Sequence, residues 1–314
     1  MSGAFPRTGR ARPARLFTTR DGRRRLFSYL MAALCCLCVV LALIPLGSII
    51  YTATVRGLPA FSGSFLTANP PAPCNPLLCQ QGGIWAALQG SLVMVGLASL
   101  FSIPLGVLAG IFLSEWGHLR VVRGMRFFIE VMTGIPSIVV GVFAYALYLY
   151  AADAGVIPIS FVLSALSGAS ALSVIMVPIV ARTTDGALQL VPVTIREAAL
   201  ALGLPRWRVT LRVVLSTGRA AVVTGALLGF ARAMGETAPL IMTASFSFFP
   251  ITQLNERTAS IPLLIFLDGR SSYGNQVAIA WGAALFIILM VLAVSITARL
   301  LAGSAMVRGV AGGT

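Results

Sequence analysis

The stretch from Thr194 to Gly218 reads TIREAALALGLPRWRVTLRVVLSTG and lies between two long apolar segments. Its arginines alternate with Ala, Leu and Val, so at helical spacing it has a basic face and an apolar face. Ala, Leu and Glu favour a short helix over Glu197–Ala201, which Gly203 can end in the left-handed conformation. Pro205 suits the first turn of a second helix, because the N–H that it lacks would have no partner there. The sequence therefore predicts a helix–turn–helix bracket on a membrane surface.

The composition is that of a polytopic membrane protein. Hydrophobic residues make up 58% of the 314 residues and charged residues only 10%. All 23 basic residues are arginine, and the chain has no lysine. P-loop ATPases, protein kinases and pyridoxal-phosphate enzymes each depend on a lysine, so these enzyme classes are excluded. We therefore expect a non-catalytic membrane subunit, and any ATP hydrolysis would require a separate chain.

Six apolar runs of about 20 or more residues are each long enough to cross a hydrocarbon core of about 30 Å. They cover residues 26–51, 88–113, 127–150, 157–181, 220–243 and 277–300. We therefore expect an all-α membrane protein with six transmembrane helices. Residues 1–25 are predicted to form a disordered basic arm, and residues 26–87 the first transmembrane helix and an outer loop. The main membrane domain covers residues 88–301, and residues 302–314 form a tail.

The distribution of arginine predicts the orientation. With the N-terminus inside, nineteen arginines fall in the N-terminal arm, the two inner loops and the tail. The outer loops hold only Arg56, Arg257 and Arg270. By the positive-inside rule both termini face the cytoplasm, and the net charge of +14 reflects membrane topology instead of nucleic-acid binding.

Few side chains are suited to metal binding or to a disulfide. The single histidine, His118, lies in a short basic loop, and we predict no metal site. Cys35, Cys36 and Cys38 lie in the first apolar run and are predicted to be small core hydrophobes. Cys74 and Cys79 lie in the first outer loop, where a disulfide and two free thiols are equally open alternatives.

Residues 229–240 read GFARAMGETAPL and place Arg232 and Glu236 four residues apart within a spanning helix. At that spacing the two side chains share one face and can pair. An ionisable residue at the centre of a spanning helix costs at least about 2.5–3.5 kcal/mol, so such residues normally face a bundle interior or a water-filled path. Because a guanidinium is well shaped for a tetrahedral oxyanion, we predict an anion path here. The alternative is a structural ion pair that joins two helices.

Two further charged pairs lie at the inner ends of predicted helices. Arg182 and Asp185 end the fourth run and are interpreted as an interfacial anchor. Glu130 lies four residues after Arg126, a spacing that predicts an exposed pair. The residues 244–276 between the last two runs, rich in Phe, Pro and Leu, are predicted to be a re-entrant or surface-lying segment buried against protein.

Three motifs resemble those of a known family. Glu197-Ala198-Ala199 followed by Gly203 resembles the EAA loop of permease subunits of bacterial ABC importers, a cytoplasmic coupling helix that docks on the ATPase subunit. Residues 231–239, ARAMGETAP, resemble the ARAxGETAP signature of the membrane subunits of phosphate importers. Residues 134–139, GIPSIV, resemble the entry to the third helix of the same subunits. The chain is most similar to the PstA-type permeases of that family.

The resemblance implies a type I (MetI-like) importer fold in the bacterial inner membrane and the transport of inorganic phosphate without a cofactor. It implies a heterodimer with a PstC-like permease, a PstB-like ATPase dimer and a PstS-like phosphate-binding protein. It assigns Arg232 and Glu236 to phosphate passage. It assigns ATPase coupling to Glu197, Ala198, Ala199 and Gly203. The Leu-Pro ending of the family loop is absent after Val213, so the end of the second bracket helix stays open.

Other functions remain as alternatives. The same fold could carry molybdate, sulfate or an organic solute, which the ARAMGETAP segment and an oxyanion competition assay would discriminate. A secondary transporter or channel is disfavoured, because no inverted repeat is evident and the bracket would have no purpose. A membrane enzyme is disfavoured, because the chain has no HExxH motif, no second histidine and no lysine.

Overall fold

The computed structural model describes residues 19–71 and 82–311. The chain divides into two units, residues 1–52 and 53–314. In the first unit the described residues form a single helix, the larger part of α1 (Thr19–Gly57). The predicted first span is confirmed as a helix, but α1 begins before Leu26, so residues 19–25 are helical where the sequence predicted disorder. Residues 1–18 of the predicted arm, and Cys74 and Cys79, lie outside the described residues.

The three cysteines of α1 were wrongly predicted to be core residues. Cys35, Cys36 and Cys38 are all exposed within the described structure of the chain. The reason is that α1 is apolar around its whole circumference, and the described part of its unit contains no second element against which it could pack.

Helices are the only regular secondary structure of the second unit among the residues that the structure describes. Its α-helices are α2 (Trp85–Glu115), α3 (Arg120–Gly134), α4 (Ser137–Asp153), α5 (Ala165–Gln189), α6 (Val193–Ala201), α7 (Arg206–Arg208), α8 (Leu215–Met234), α9 (Ala238–Thr243), α10 (Ile261–Asp268) and α11 (Gly274–Ala311). A π-helical segment, Val209–Val214, joins α7 to α8, and short 3-10 turns cover Leu58–Ala60 and Ile159–Phe161.

Five helices among the described residues are long and apolar enough to cross a membrane, or six if α3 and α4 count as one bent span. The predicted third span is therefore not one straight helix. It breaks at Pro136, and α4 leaves α3 at an angle of 98°. Pro136 has no N–H to continue the helix of α3, and its ring holds the preceding Ile135 in an extended conformation with ψ of 129°.

The fourth and fifth predicted spans are shifted along the chain. The fourth starts later than predicted, because Ser164 caps α5 and accepts a hydrogen bond from the N–H of Ser167. The fifth is one helical run from Arg206 to Met234, which settles where the second bracket helix ends. Without a proline after Val213 that helix continues into α8.

The core of the second unit lies between α2 and α5. Met94 and Ala98 of α2 pack with Leu172 and Met176 of α5, and Met234 at the end of α8 joins the same cluster. A second cluster contains Phe65, Ile261 and Leu264, so α10 is buried against protein. That burial agrees with the prediction for residues 244–276.

Candidate functional site

The bracket, residues 194–218, contains nearly all of α6, all of α7, the π-helical segment and the first turn of α8. Gly203 follows the end of α6 with φ of +80°, the predicted left-handed conformation. Pro205 precedes the first turn of α7, one position earlier than predicted. These two residues turn the chain between the two arms of the bracket.

The two faces of the bracket differ in burial. Ala199 is buried and packs with Leu188, Val209 and Val214, so one face of the bracket belongs to the core of the unit. The opposite face is exposed and carries Glu197, Ala198, Leu202, Arg206 and Trp207. The predicted separation into a basic and an apolar face is therefore incomplete, because Leu202 and Trp207 are apolar and exposed.

A carboxylate that the sequence analysis missed fastens the bracket to the bundle. Glu115 is the last residue of α2. Its Oε1 lies 3.2 Å from Nη1 of Arg196 in α6, and its Oε2 accepts a hydrogen bond of 3.2 Å from the hydroxyl of Thr210 in the π-helical segment. Arg196 also donates to the backbone oxygen of Leu188 near the end of α5, over 2.7 Å. The sequence did offer one indication of this role: Glu115 follows an apolar run directly, and the chain has only nine acidic residues.

The structure pairs Arg126 with Asp185 instead of joining either residue to its near neighbour in the sequence. Arg126 of α3 pairs with Asp185 of α5, with 3.1 Å from Nη2 to Oδ1 and from Nε to Oδ2. Arg126 also donates to the backbone oxygen of Leu113 in α2. Asp185 lies on the buried side of α5, whereas Arg182 is exposed, so these two side chains point apart. Glu130 is exposed and, among the described residues, forms no ion pair with Arg126, whose guanidinium turns to Asp185 instead.

Arg232 and Glu236 do come together, although not within one helix. Arg232 lies in the last turn of α8, and Glu236 lies in the break between α8 and α9. Nε of Arg232 is 3.5 Å from Oε1 of Glu236. The side chain of Arg232 is 65% exposed and that of Glu236 15%, so the guanidinium keeps surface for another ligand.

This pair borders a cavity of about 330 Å³. The turn between α3 and α4 contributes Thr133, Pro136 and Ser137 to its lining, and α5 contributes Val174 and Ile179. The GIPSIV stretch and the charged pair, about a hundred residues apart in the chain, therefore face one space. The sequence could not show this, because the meeting depends on how α4 packs.

Gly141 explains how α4 reaches that position. A Cβ at Gly141 would lie 2.6 Å from Cα of Pro239, a distance that side-chain carbons do not adopt. The missing side chain lets α4 lie directly against α9, which follows Glu236 in the chain. Ser137 begins α4, so the positive end of a 17-residue helix opens toward the cavity beside Arg232. The helix N-terminus thus adds positive potential to a cavity in which the charges of Arg232 and Glu236 otherwise balance.

Comparison with known proteins identifies the family. Residues 102–305 match the family described as the binding-protein-dependent transport system inner membrane component. The phosphate transport system permease protein PstA of Pasteurella multocida is 37% identical over 278 residues, which cover 88% of this chain and 95% of that protein. The chain belongs to this PstA permease family. A permease of this family is a non-catalytic, multi-pass inner-membrane component of a complex that also contains an ATPase and a binding protein.

Solved structures support the fold of the permease family for this chain. A chain of the inward-facing MetNI methionine ABC transporter aligns with a TM-score of 0.55 at 16% identity, over 71% of this chain and 94% of that one. A chain of the bacterial alginate ABC transporter, solved with its alginate-bound periplasmic protein, aligns with a TM-score of 0.57 at 16% identity. The alignment covers 89% of this chain and 94% of that one. The prediction of an all-α importer permease is thereby confirmed at the level of the fold.

Proposed function

We propose that this PstA-family permease passes inorganic phosphate through the cavity bordered by Arg232 and Glu236, in an ATP-driven importer. The observation that carries the proposal is the convergence of the α3–α4 turn, α5 and the Arg232–Glu236 pair on one space. Its PstA relatives supply the substrate class. The alternative substrate is another tetrahedral oxyanion, since the guanidinium of Arg232 would bind it in the same way.

The side chains around the cavity favour weak, reversible binding of an anion over tight binding. The guanidinium of Arg232 offers parallel N–H donors to two phosphate oxygens. Glu236 competes for the same guanidinium at 3.5 Å and repels the phosphate. The hydroxyl groups of Thr133 and Ser137 supply neutral donors on the facing wall. A site with this balance binds phosphate and releases it.

The orientation and partners follow from the charge distribution and the family. The nineteen arginines of the predicted inner regions support a cytoplasmic N-terminus, C-terminus and bracket. The exposed face with Glu197, Leu202 and Trp207 would then dock on a PstB-like ATPase dimer. A PstC-like permease would complete the membrane part, and a PstS-like protein would deliver phosphate from the other side.

Continuity of one helix connects the bracket to the cavity. The run from Arg206 to Met234 begins in the bracket and ends with the turn that carries Arg232. At 1.5 Å per residue it is about 43 Å long. A movement that the ATPase imposes on the bracket is therefore transmitted along this helix to the guanidinium.

The test is phosphate uptake by the complete importer in proteoliposomes after Arg232→Gln. We expect uptake to fall at least about tenfold, since a charge-assisted pair of hydrogen bonds to the anion is lost. Arg123→Gln, an exposed arginine of α3 outside the cavity lining, is the matched control and should keep normal uptake. Normal uptake in Arg232→Gln would remove the residue from the path. Competition by molybdate and sulfate distinguishes phosphate from the alternative substrate.

A further inference from the structure

We propose that Glu115 is a positioning residue for energy coupling: its carboxylate locks α6 of the bracket to the π-helical segment that begins the helix bearing Arg232. The proposal rests on the proposed function, because it concerns how the bracket drives the cavity. Glu115 contacts Arg196 with one oxygen and Thr210 with the other, so one carboxylate joins three segments: the end of α2, α6 and the π-helical segment.

The surroundings of this contact make the loss of one partner more costly than in a surface ion pair. The side chains of Glu115 and Arg196 are only 15% and 21% exposed, and Thr210 is buried. Exposed pairs contribute little to stability, whereas removal of one partner from a buried pair leaves an uncompensated charge. The bracket therefore cannot separate from α2 without a substantial free-energy cost.

Arg196 extends the lock to a second spanning helix. Its Nη2 donates to the backbone oxygen of Leu188 in the last turn of α5, which also accepts from the N–H of Val191. The middle of α5 carries Val174 and Ile179, which line the cavity. Through Arg196 and Glu115, a displacement of α6 thus acts on both α2 and α5, and α5 reaches the cavity wall.

Thr210 gives the lock two states. Its hydroxyl lies 3.2 Å from Oε2 of Glu115 and 3.1 Å from the backbone oxygen of Arg206, one turn earlier. A hydroxyl has one hydrogen, so it donates fully to only one of these acceptors at a time. Thr210 also lies in a π-helical segment, a local widening of the helix that is frequent at functional sites. We therefore assign the locked state to donation to Glu115 and the released state to donation to Arg206.

The neighbouring Arg126–Asp185 pair provides a matched control. It joins α3 to α5 near the same end of the bundle and is also partly buried, with side chains 39% and 13% exposed. Among the described residues, Arg126 and Asp185 bond to each other, to Leu113 of α2 and to Gln189 of α5, and to no residue of the bracket. Loss of Asp185 should therefore lower stability to a similar degree without acting on the bracket.

The experiment measures phosphate transported per ATP hydrolysed by the full complex in proteoliposomes. For Glu115→Gln and Thr210→Val we expect this ratio to fall at least about twofold while ATP hydrolysis continues, since residues that share one hydrogen-bond network are energetically coupled. Thr210→Ser keeps the hydroxyl and should restore the ratio. Asp185→Asn should lower the thermal midpoint and leave the ratio unchanged.

Two results would overturn the lock. The ratio could stay at the wild-type value in both Glu115→Gln and Thr210→Val, or it could fall equally in Asp185→Asn. If Glu115→Gln fails to assemble, Thr210→Val, which removes only a hydroxyl, decides the question. Failure of the proposed function looks different, because the wild-type complex itself would then show no ATP-dependent phosphate uptake.

Discussion

Nε of Arg232 lies 3.5 Å from Oε1 of Glu236, and the arginine side chain is 65% exposed while the glutamate side chain is 15% exposed. The carboxylate is therefore fixed in the protein, whereas the guanidinium projects into open space. Under the function proposed above, an anion that enters the cavity would meet the arginine first and compete with Glu236 for it.

Replacement of Glu236 by Gln should make the site hold phosphate too tightly. Without the competing negative charge, the half-saturating phosphate concentration should fall several-fold, and the maximal uptake rate should fall with it, because release becomes slower. Initial rates of uptake over a range of phosphate concentrations give both quantities. Glu130→Gln, an exposed acid on α3, should change neither. An unchanged half-saturating concentration in Glu236→Gln would contradict the competition.

Reversal of charge at Glu197 should weaken the attachment of the ATPase. Glu197 lies on the exposed face of the bracket, so Glu197→Arg leaves the packing of Ala199 intact. We expect the amount of ATPase that co-purifies with the membrane subunits to drop. Glu130→Arg reverses an exposed charge outside the bracket and serves as the control. Full co-purification with Glu197→Arg would count against docking at this face.

Gly203→Ala should strain the turn of the bracket. At φ of +80° a Cβ costs about 1–2 kcal/mol, even though nothing lies within 4 Å of it. We expect a lower thermal midpoint for the complex and weaker retention of the ATPase. Gly186→Ala tests the same change in the ordinary helix of α5, where space is also open and alanine favours the helix. Equal midpoints for the two variants would show that the turn tolerates a side chain.

Asp268 should make stability depend on pH. Burial raises the pKa of this carboxyl, at the end of α10 and outside the spanning helices, from 3.8 to about 6. The folded state then binds a proton more tightly than the unfolded state, so stability falls as pH rises from about 4 to about 6 and stays constant above that range. At pH 7, Asp268→Asn should be more stable than the wild type by up to about 3 kcal/mol.

The measurement for Asp268 is the thermal midpoint of the complex between pH 4 and pH 8. The difference between wild type and Asp268→Asn should be small at pH 4 and largest above pH 6. A difference that does not vary with pH would mean that Asp268 has the same protonation in both states.

Local chemistry made several features predictable from sequence. Gly203 and Pro205 define the bracket turn through their own backbone preferences. Pro136 breaks the third predicted span for the same kind of local reason, although residues 127–150 were predicted to form one span. Long apolar runs located most spanning helices, because hydropathy does not depend on which helices become neighbours. Helix ends were less predictable, since α8 continues the bracket helix instead of starting afresh.

Partners far apart in the chain were not predictable in this way. Arg126 had nearby acids in sequence, yet its partner Asp185 is 59 residues away. Glu115 contacts Arg196 and Thr210 only because α6 and the π-helical segment pack against the end of α2. Charge and spacing identify which side chains need a partner, but the packing of α2, α3 and α5 decides which one they find.

The uninterrupted helix from Arg206 to Met234 also restricts how the protein can change over evolutionary time. Each inserted residue would rotate everything beyond it by about 100° and advance it by 1.5 Å. One insertion between Val214 and Arg232 would thus aim the guanidinium at a different neighbour, although no side chain had been replaced. Substitutions can accumulate along this segment, whereas we expect selection to remove insertions and deletions.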